Sequence, residues 1–146
     1  MKLRGINHVV LKVRDLQRSA EFYSYILGFE QVGQRRRMLF FRGGGHPHDL
    51  ALFEVGPDAA PLQPHQVGLF HFCITVEDET ALAELYRRCK KAGVKILGVV
   101  DHIVSRSFYV EDPDGNVVEL TVDAPEEEWA HLENPFEIDR PYHLPD

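Results

Sequence analysis

INHVVLKVRDLQRSAEFY, residues 6–23, recurs in altered form as LFHFCITVEDETALAELY, residues 69–86, and this internal repeat decides the fold. The two stretches align at a constant offset of 63 positions. The identities in the alignment include His8 with His71, Val13 with Val76, Asp15 with Asp78 and Tyr23 with Tyr86. Such an internal repeat predicts two copies of one structural unit, and both histidines occupy the same position in it.

Each copy has the pattern of a strand, a helix and three further strands. Residues 5–13 and 68–76 alternate between apolar and polar side chains, which predicts half-buried strands. Asp15 and Asp78 stand where helix N-caps are expected, and apolar residues then recur at helical spacing until a glycine ends each helix. Short apolar runs separated by turn residues complete a strand meander in each half. The sequence therefore predicts an α+β fold of two βαβββ repeats.

Four segments follow from these patterns. We expect residues 1–55 to form the first βαβββ unit, 56–67 a linker rich in proline and glycine, 68–123 the second unit, and 124–146 a C-terminal tail. The tail loses the strand alternation and carries one short helical pattern around residues 126–132. Because each sheet would have an uncovered face, we expect the units to pair around a pseudo-twofold axis into a curved mixed sheet.

Composition narrows the functional classes. The chain has 146 residues, 44% of them hydrophobic, so it can bury a core. Its formal charge of -7 and pI near 5.6 argue against a nucleic-acid partner, because phosphate binding needs clustered lysine and arginine. Cys73 and Cys89 show no C-x-x-C spacing and suit free thiols in a reducing compartment. No stretch suits a signal peptide or a membrane span, so we expect a soluble cytoplasmic protein.

The first strands and the last strand supply a candidate metal centre. His8 and His71 are equivalent in the repeat, and pairing of the units would direct both toward a shared cleft. Glu119 interrupts an apolar strand, where an ionised carboxylate is costly unless it is paired or bound to a metal. Two histidines and one carboxylate on one face of a metal are typical of non-haem Fe(II) oxygenases. A lone histidine would more often be a satisfied core residue, but the repeated position favours ligands.

This pattern resembles the vicinal oxygen chelate superfamily, which includes glyoxalase I, type I extradiol dioxygenases, fosfomycin-resistance enzymes and bleomycin-binding proteins. The resemblance covers residues 5 to about 123, and DPDGNVVEL, residues 112–120, is its most specific part. It implies the glyoxalase/dioxygenase-like fold, a curved mixed sheet around a metal cleft, with His8, His71 and Glu119 as metal ligands. It leaves the reaction open, because one fold hosts many chemistries.

Two further stretches are similar to the extradiol branch. HDLAL, residues 48–52, resembles the stretch that carries the acid–base histidine of those dioxygenases, which gives this role to His48. His102 and Tyr109 match the histidine and the tyrosine that precede the ligand glutamate and hydrogen-bond the bound substrate. The resemblance then implies a divalent metal, Fe(II) in the dioxygenases, with Mn, Ni and Zn as alternatives. Its expected substrates are dioxygen and a catechol-like aromatic diol or related oxygen chelate.

Two other functions stay open at this point. Aligning the helix-ending glycines changes the offset to 65 positions and maps Glu54 onto Glu119, which would add a fourth ligand. That set resembles glyoxalase I, a lyase that uses Zn or Ni to isomerise a glutathione hemithioacetal. Strand alternation would put His48 and Glu54 on one face, so both could point inward. The third interpretation is a metal-free antibiotic-binding resistance protein, although such members generally lack the histidine and glutamate set.

The uncovered sheet edges also predict self-association. Because such edges often associate, we expect a homodimer. The two units could pair within one chain or exchange between two chains. In the exchanged arrangement, His8 would come from a different chain than His71 and Glu119.

Overall fold

The computed structural model describes residues 2–145, and the chain divides into two compact units between Leu62 and Gln63. The strands and the helix of the first unit are β1 (Val9–Val13), α1 (Leu16–Glu21), β2 (Glu30–Arg35), β3 (Met38–Arg42) and β4 (Leu50–Glu54). Its strand order is β1-β4-β3-β2, with β1 parallel to β4 and the other neighbours antiparallel. The sheet is therefore mixed.

The second unit repeats this order and extends it. Its elements are β5 (Phe72–Thr75), α2 (Glu79–Lys91), β6 (Ile96–Asp101), β7 (Ser105–Glu111), β8 (Val117–Asp123), α3 (Glu126–Trp129) and β9 (Arg140–Pro141). The strand order is β5-β8-β7-β6-β9, and β5 is parallel to β8. The predicted βαβββ order is confirmed in both halves, and the fold is α+β with two mixed sheets.

The first strand of each unit is shorter than the alternation predicts. These strands begin at Val9 and Phe72, so both repeat histidines lie directly before a strand instead of within it. In the first unit the parallel partner begins only at Leu50, because the chain bends at Asp49. The carboxylate of Asp49 accepts the backbone N–H groups of Gly43 and Gly44, each at 2.8 Å, and these bonds hold the bend.

Both predicted helix caps are confirmed. Asp15 Oδ1 accepts the backbone N–H of Arg18 at 3.0 Å, and Asp78 Oδ1 accepts that of Ala81 at 2.8 Å. A π-helical turn over Phe22–Ile26 continues α1, because the N–H of Leu27 bonds to the carbonyl of Phe22. Past each helix the backbone takes positive φ at the expected glycines, Gly28 with φ 91° and Gly93 with φ 71°.

Each sheet packs one face against its helix and leaves the other face open. In the second unit the core contains Phe108, Val110 and Leu120 from the sheet and Leu82 from α2, all at most 1% exposed. The alternate positions of the same strands face away from this core. Strand pairing places Cys73, Glu119 and Tyr109 in one row across β5, β8 and β7 on that open face.

The C-terminal tail is attached to the second sheet. It contains α3, which lies within the predicted helical segment, and β9, which pairs antiparallel with the edge strand β6. Tyr142 donates a hydrogen bond to Glu79 at the start of α2, and Leu144 is buried. The tail therefore completes one edge of this unit.

Two expectations concern the chain as a whole. Both cysteines are free thiols, as predicted. Between residues 2 and 145, no helix is both long enough and apolar enough to cross a lipid bilayer.

Candidate metal and acid–base site

His71 and Glu119 form a close pair on the open face of the second sheet. Glu119 lies at the middle of β8 and is 7% exposed, and its Oε2 atom is 3.0 Å from Nε2 of His71. The sequence predicted these two residues to act together. Their contact arises because β5 runs parallel to β8 and pairs Cys73 with Glu119, which brings the residue just before β5 to the same carboxylate.

A buried hydroxyl pair fixes the other oxygen of Glu119. Ser107 donates its hydroxyl proton to Glu119 Oε1 at 2.6 Å, and its Oγ is 2.8 Å from Oγ1 of Thr121. Ser107 is fully buried and Thr121 is 5% exposed, so this network is shielded from water. Oε1 of Glu119 is thus hydrogen-bonded to the neighbouring strand β7, while Oε2 faces the imidazole of His71.

His71 is not a satisfied core histidine. Its side chain is 30% exposed, and its Nε2 already contacts Glu119. Its Nδ1 atom is buried without a hydrogen-bond partner. An unpaired buried polar atom costs about 1–3 kcal/mol and calls for an explanation such as a functional role or an additional ligand.

The donor chemistry of this pair fits a divalent cation. Imidazole nitrogen and carboxylate oxygen are both ligand atoms that such metals accept. Nε2 and Oε2 lie 3.0 Å apart, the distance of a hydrogen bond between imidazole and carboxylate, so the two donor atoms point to one place. Between residues 2 and 145, no group of three His, Cys, Asp or Glu side chains is placed so that it could hold a metal ion. The pair supplies two ligands, and the third predicted ligand, His8, lies in the first unit.

A tyrosine and a second histidine lie beside the pair. Tyr109 pairs with Glu119 across β7 and β8, and its ring packs edge-on against the ring of His71 with a centroid distance of 5.6 Å. The hydroxyl of Tyr109 is 2.7 Å from Nε2 of His102, which is itself 3.9 Å from Glu119 Oε1. Burial and the Glu119 carboxylate raise the pKa of Tyr109, so this phenol keeps its proton near neutral pH.

A thiol completes the row. Desolvation and the charge of Glu119 raise the pKa of Cys73 to about 12, so its thiol is protonated near neutral pH. In the metal-free chain Cys73 is therefore a neutral neighbour of His71 and Glu119, the two donors that the sequence predicts.

The first unit brings His8 and His48 together. Their ring centroids are 4.4 Å apart, and the ring of His48 also packs edge-on against Phe40. Nδ1 of His8 donates to Oδ1 of Asn7 at 2.7 Å, and the Asn7 amide donates to Nδ1 of His46 at 3.1 Å. With Nδ1 carrying the proton, Nε2 of a neutral His8 ring presents a lone pair. This is the state that a metal ligand requires.

Glu54 does not share the environment of His48, so the prediction that alternation puts both on one face is wrong. Oε2 of Glu54 accepts the backbone N–H of Leu16 at 3.2 Å, at the start of α1, and Oε1 is 3.7 Å from Nε of Arg37. His48 lies before the bend at Asp49 and contacts Phe40, whose side chain alternates with the buried face of β3. The bend interrupts the two-residue alternation of side chains between His48 and β4. The carboxylate of Glu54 instead binds to the N-terminus of α1.

The alternative repeat register that maps Glu54 onto Glu119 is also wrong. β1 pairs Val9 with Leu50, and the equivalent pair in the second unit is Phe72 with Val118. The next position along each last strand is therefore Ala51 in the first unit and Glu119 in the second. A methyl group stands where a second carboxylate ligand would be needed. The four-ligand set of the glyoxalase alternative loses its fourth member.

Sequence reasoning missed three residues of the site, namely Ser107, Thr121 and Asp139. Ser107 and Thr121 share the parity of Tyr109 and Glu119 on β7 and β8, so strand alternation could have found them. Asp139, whose Oδ1 is 2.6 Å from Nδ1 of His102, stands in a tail without periodicity. No local pattern pointed to it.

We expect Ser107→Ala to weaken metal binding by about 10- to 100-fold, because residues that orient a metal ligand contribute to affinity at this level. Loss of the hydroxyl frees Glu119 Oε1 to rotate away from its position. Calorimetric titration with Zn(II) would measure the change in Kd. Ser105→Ala, two residues earlier on the same face of β7, is the matched control. Equal affinities for the two variants would contradict this role.

The matches to known proteins agree with this architecture. A family model described as the Glyoxalase/Bleomycin resistance protein/Dioxygenase superfamily matches residues 5–120. The chain is 34% identical over 125 residues to a catechol-2,3-dioxygenase of Bacillus subtilis (strain 168), covering 85% of this chain and 43% of that protein. It is 34% identical over 131 residues to biphenyl-2,3-diol 1,2-dioxygenase 3 of Rhodococcus globerulus, covering 86% of this chain and 68% of that protein.

The comparison with solved structures points to the same superfamily. A lactoylglutathione lyase from Agrobacterium tumefaciens is similar with a TM-score of 0.64 and 25% identity, covering 84% of this chain and 96% of that chain. This chain spans less than half the length of the Bacillus relative. Since the match runs through both βαβββ units, the chain belongs to the Glyoxalase/Bleomycin resistance protein/Dioxygenase superfamily.

Proposed function

We propose that this chain is a non-haem Fe(II) dioxygenase of the extradiol type, which cleaves the ring of a catechol-like substrate. The observation that carries the proposal is the pairing of two metal-type donors, His71 and Glu119, with the hydrogen-bonded His102 and Tyr109 on one sheet face. Relatives whose names denote dioxygenases of catechol and biphenyl-2,3-diol support the same substrate class.

In this proposal His71 and Glu119 hold the metal together with His8. A bound Fe(II) would supply the Lewis acidity and the redox chemistry that an aromatic diol and dioxygen need to react. Ser107 keeps one oxygen of Glu119 occupied, so the carboxylate offers a single oxygen, Oε2, as the ligand atom. Asn7 fixes the proton of His8 on Nδ1 and leaves Nε2 for the metal.

The remaining side chains handle protons. His48 accepts a hydroxyl proton from the diol, a role that suits imidazole because a neutral ring nitrogen can take up a proton and later return it. Tyr109 keeps its own proton and can donate a hydrogen bond to an oxygen of the substrate. His102 accepts the hydrogen bond of Tyr109 in the absence of substrate and so holds the phenol in position.

Two observations disfavour the glyoxalase alternative. Glu54 is engaged by the N-terminus of α1 and by Arg37, and Ala51 stands at the position equivalent to Glu119. A hemithioacetal isomerase with four protein ligands would need a carboxylate there. The metal-free alternative is disfavoured because such proteins generally lack the histidine and glutamate set, whereas His71 and Glu119 form a close pair here.

The test is reconstitution of the full chain with Fe(II) under anaerobic conditions, followed by addition of catechol or biphenyl-2,3-diol and then dioxygen. We expect stoichiometric oxygen uptake and a yellow ring-fission product. Glu119→Gln, prepared in the same way, is expected to consume no oxygen. Turnover of only the methylglyoxal–glutathione hemithioacetal, with Ni or Zn, would replace the proposal with the glyoxalase function.

A further inference from the structure

The C-terminal tail places a carboxylate on the histidine that contacts Tyr109. Asp139 Oδ1 is 2.6 Å from Nδ1 of His102, and Nε2 of the same ring is 2.7 Å from the hydroxyl of Tyr109. We propose that Asp139 is a positioning residue, which fixes the tautomer and the orientation of His102 and through it the phenol of Tyr109. Its effect on catalysis rests on the proposed dioxygenase function, whereas its effect on the histidine does not.

Strand pairing brings these residues together. β9 pairs antiparallel with β6, with Val100 opposite Pro141 and Asp101 opposite Arg140. The next pair in this register is His102 with Asp139, directly beyond both strand ends. The contact thus continues a backbone ladder, so two otherwise exposed segments meet at a defined place.

The backbone of His102 is held independently of Asp139. Its N–H bonds to the carbonyl of Ser105 at 2.8 Å, and Asp101 Oδ1 accepts the N–H of Ile103 at 2.7 Å. Ile103 is buried and has φ 71°, so this turn is tightly defined. The turn fixes the backbone position of His102. The contact with Asp139 determines which nitrogen of its ring carries the proton.

The proton assignment follows from the two short contacts. A carboxylate only accepts hydrogen bonds, so Nδ1 must carry a proton to lie 2.6 Å from Asp139. In the neutral ring Nε2 is then an acceptor, and Tyr109 donates to it. Without Asp139, the ring is free to protonate Nε2 instead and to turn this N–H toward Glu119, 3.9 Å away.

Asp139 is suited to a test by mutation. Its side chain is 63% exposed, so its replacement removes no core packing. It also lies beyond residue 120, where the family match ends. The inference therefore concerns a feature that the tail of this chain adds to the two shared βαβββ units.

The first experiment is nitrogen-15 NMR of the histidine rings in the full chain, as purified and after loading with diamagnetic Zn(II), with His102→Gln used to assign the signals. We expect His102 to be the Nδ1–H tautomer in the unmodified chain. Asp139→Ala should shift it toward the Nε2–H tautomer, and Asp139→Glu should restore the original state. Glu137→Gln removes a neighbouring exposed carboxylate of the tail and should change nothing. An unchanged His102 tautomer in Asp139→Ala would overturn the inference.

The second experiment follows the Fe(II)-loaded chain with catechol. Asp139→Ala should lower kcat about tenfold and leave KM within about a factor of two, the size of effect expected for a residue that orients a site group. Asp139→Glu should recover most of the rate. If the wild type is active and Asp139→Ala has the same kcat, then Asp139 does not contribute to catalysis through His102. A tautomer shift in a chain that lacks dioxygenase activity would instead reject the proposed function and keep the positioning role.

Discussion

Replacing His71 with alanine is expected to abolish divalent metal binding by this chain. The variant removes one of the two donors that lie 3.0 Å apart on the open face of the second sheet. Loss of a direct ligand should exceed the 10- to 100-fold effect of losing a residue that merely orients one, so we expect Kd to rise by more than about 100-fold. Metal analysis after reconstitution, together with calorimetric titration, measures both stoichiometry and affinity.

The fold should survive this change. The side chain of His71 is partly exposed, and its buried Nδ1 makes no hydrogen bond that alanine would lose. Alanine does lose the contact between Nε2 and the mostly buried Glu119, so the thermal unfolding midpoint should fall, but a single cooperative unfolding transition should remain, which separates loss of the site from loss of structure. His65→Ala, at an exposed position of the segment before β5, is the matched control, and we expect it to bind about one metal ion per chain, the stoichiometry expected of the wild type. Unchanged metal occupancy in His71→Ala would remove the basis of the proposed function.

His48→Gln is expected to lower kcat by about 10²- to 10⁴-fold, the range for loss of a general acid or base. Glutamine keeps a polar side chain of similar reach but cannot exchange a proton near neutrality. The ring of His48 lies against His8 in the first unit, yet in the proposal it is not a ligand, so metal stoichiometry should stay unchanged. Steady-state kinetics with catechol and metal analysis of the same preparation provide the two measurements.

Two controls sharpen this prediction. His131→Gln removes an exposed imidazole of the C-terminal tail that has no role in the proposal, so kcat should stay within a few-fold of the wild type. Glu54→Gln weakens the bond to the N-terminus of α1 and should lower stability slightly while leaving metal affinity unchanged. The reverse pattern, with metal lost in Glu54→Gln and kcat retained in His48→Gln, would point to a four-ligand lyase.

Local sequence patterns were sufficient to predict the helices and strands and their order along the chain. The repeated strand, cap and helix pattern predicts the βαβββ order of both units, and Asp15 and Asp78 act as the predicted caps. Such features depend on residues a few positions apart, which is the range over which periodicity and capping operate. The same patterns overestimated the first strands, because alternation of side chains does not show where the backbone hydrogen bonds to the neighbouring strand begin.

Contacts between distant segments decided the site. Glu54 and Glu119 both stand on a last strand, but one caps a helix and the other faces His71 across the sheet. Alternation predicts which face of the sheet a side chain occupies only within a continuous strand. His48 lies before the bend at Asp49, so the alternation of β4 does not apply to it. Asp139 met His102 because two strand edges pair in one particular register.

The sequence by itself determined the duplicated α+β architecture, the equivalence of His8 and His71 and the presence of a carboxylate on an otherwise apolar strand. Only the tertiary structure decided that Ser107 holds Glu119, that Ala51 replaces a second carboxylate and that the tail reaches His102. The physical reason is the range of the interactions. Periodicity and capping act within a few residues, whereas strand register and hydrogen bonds between strands join residues that the chain separates widely.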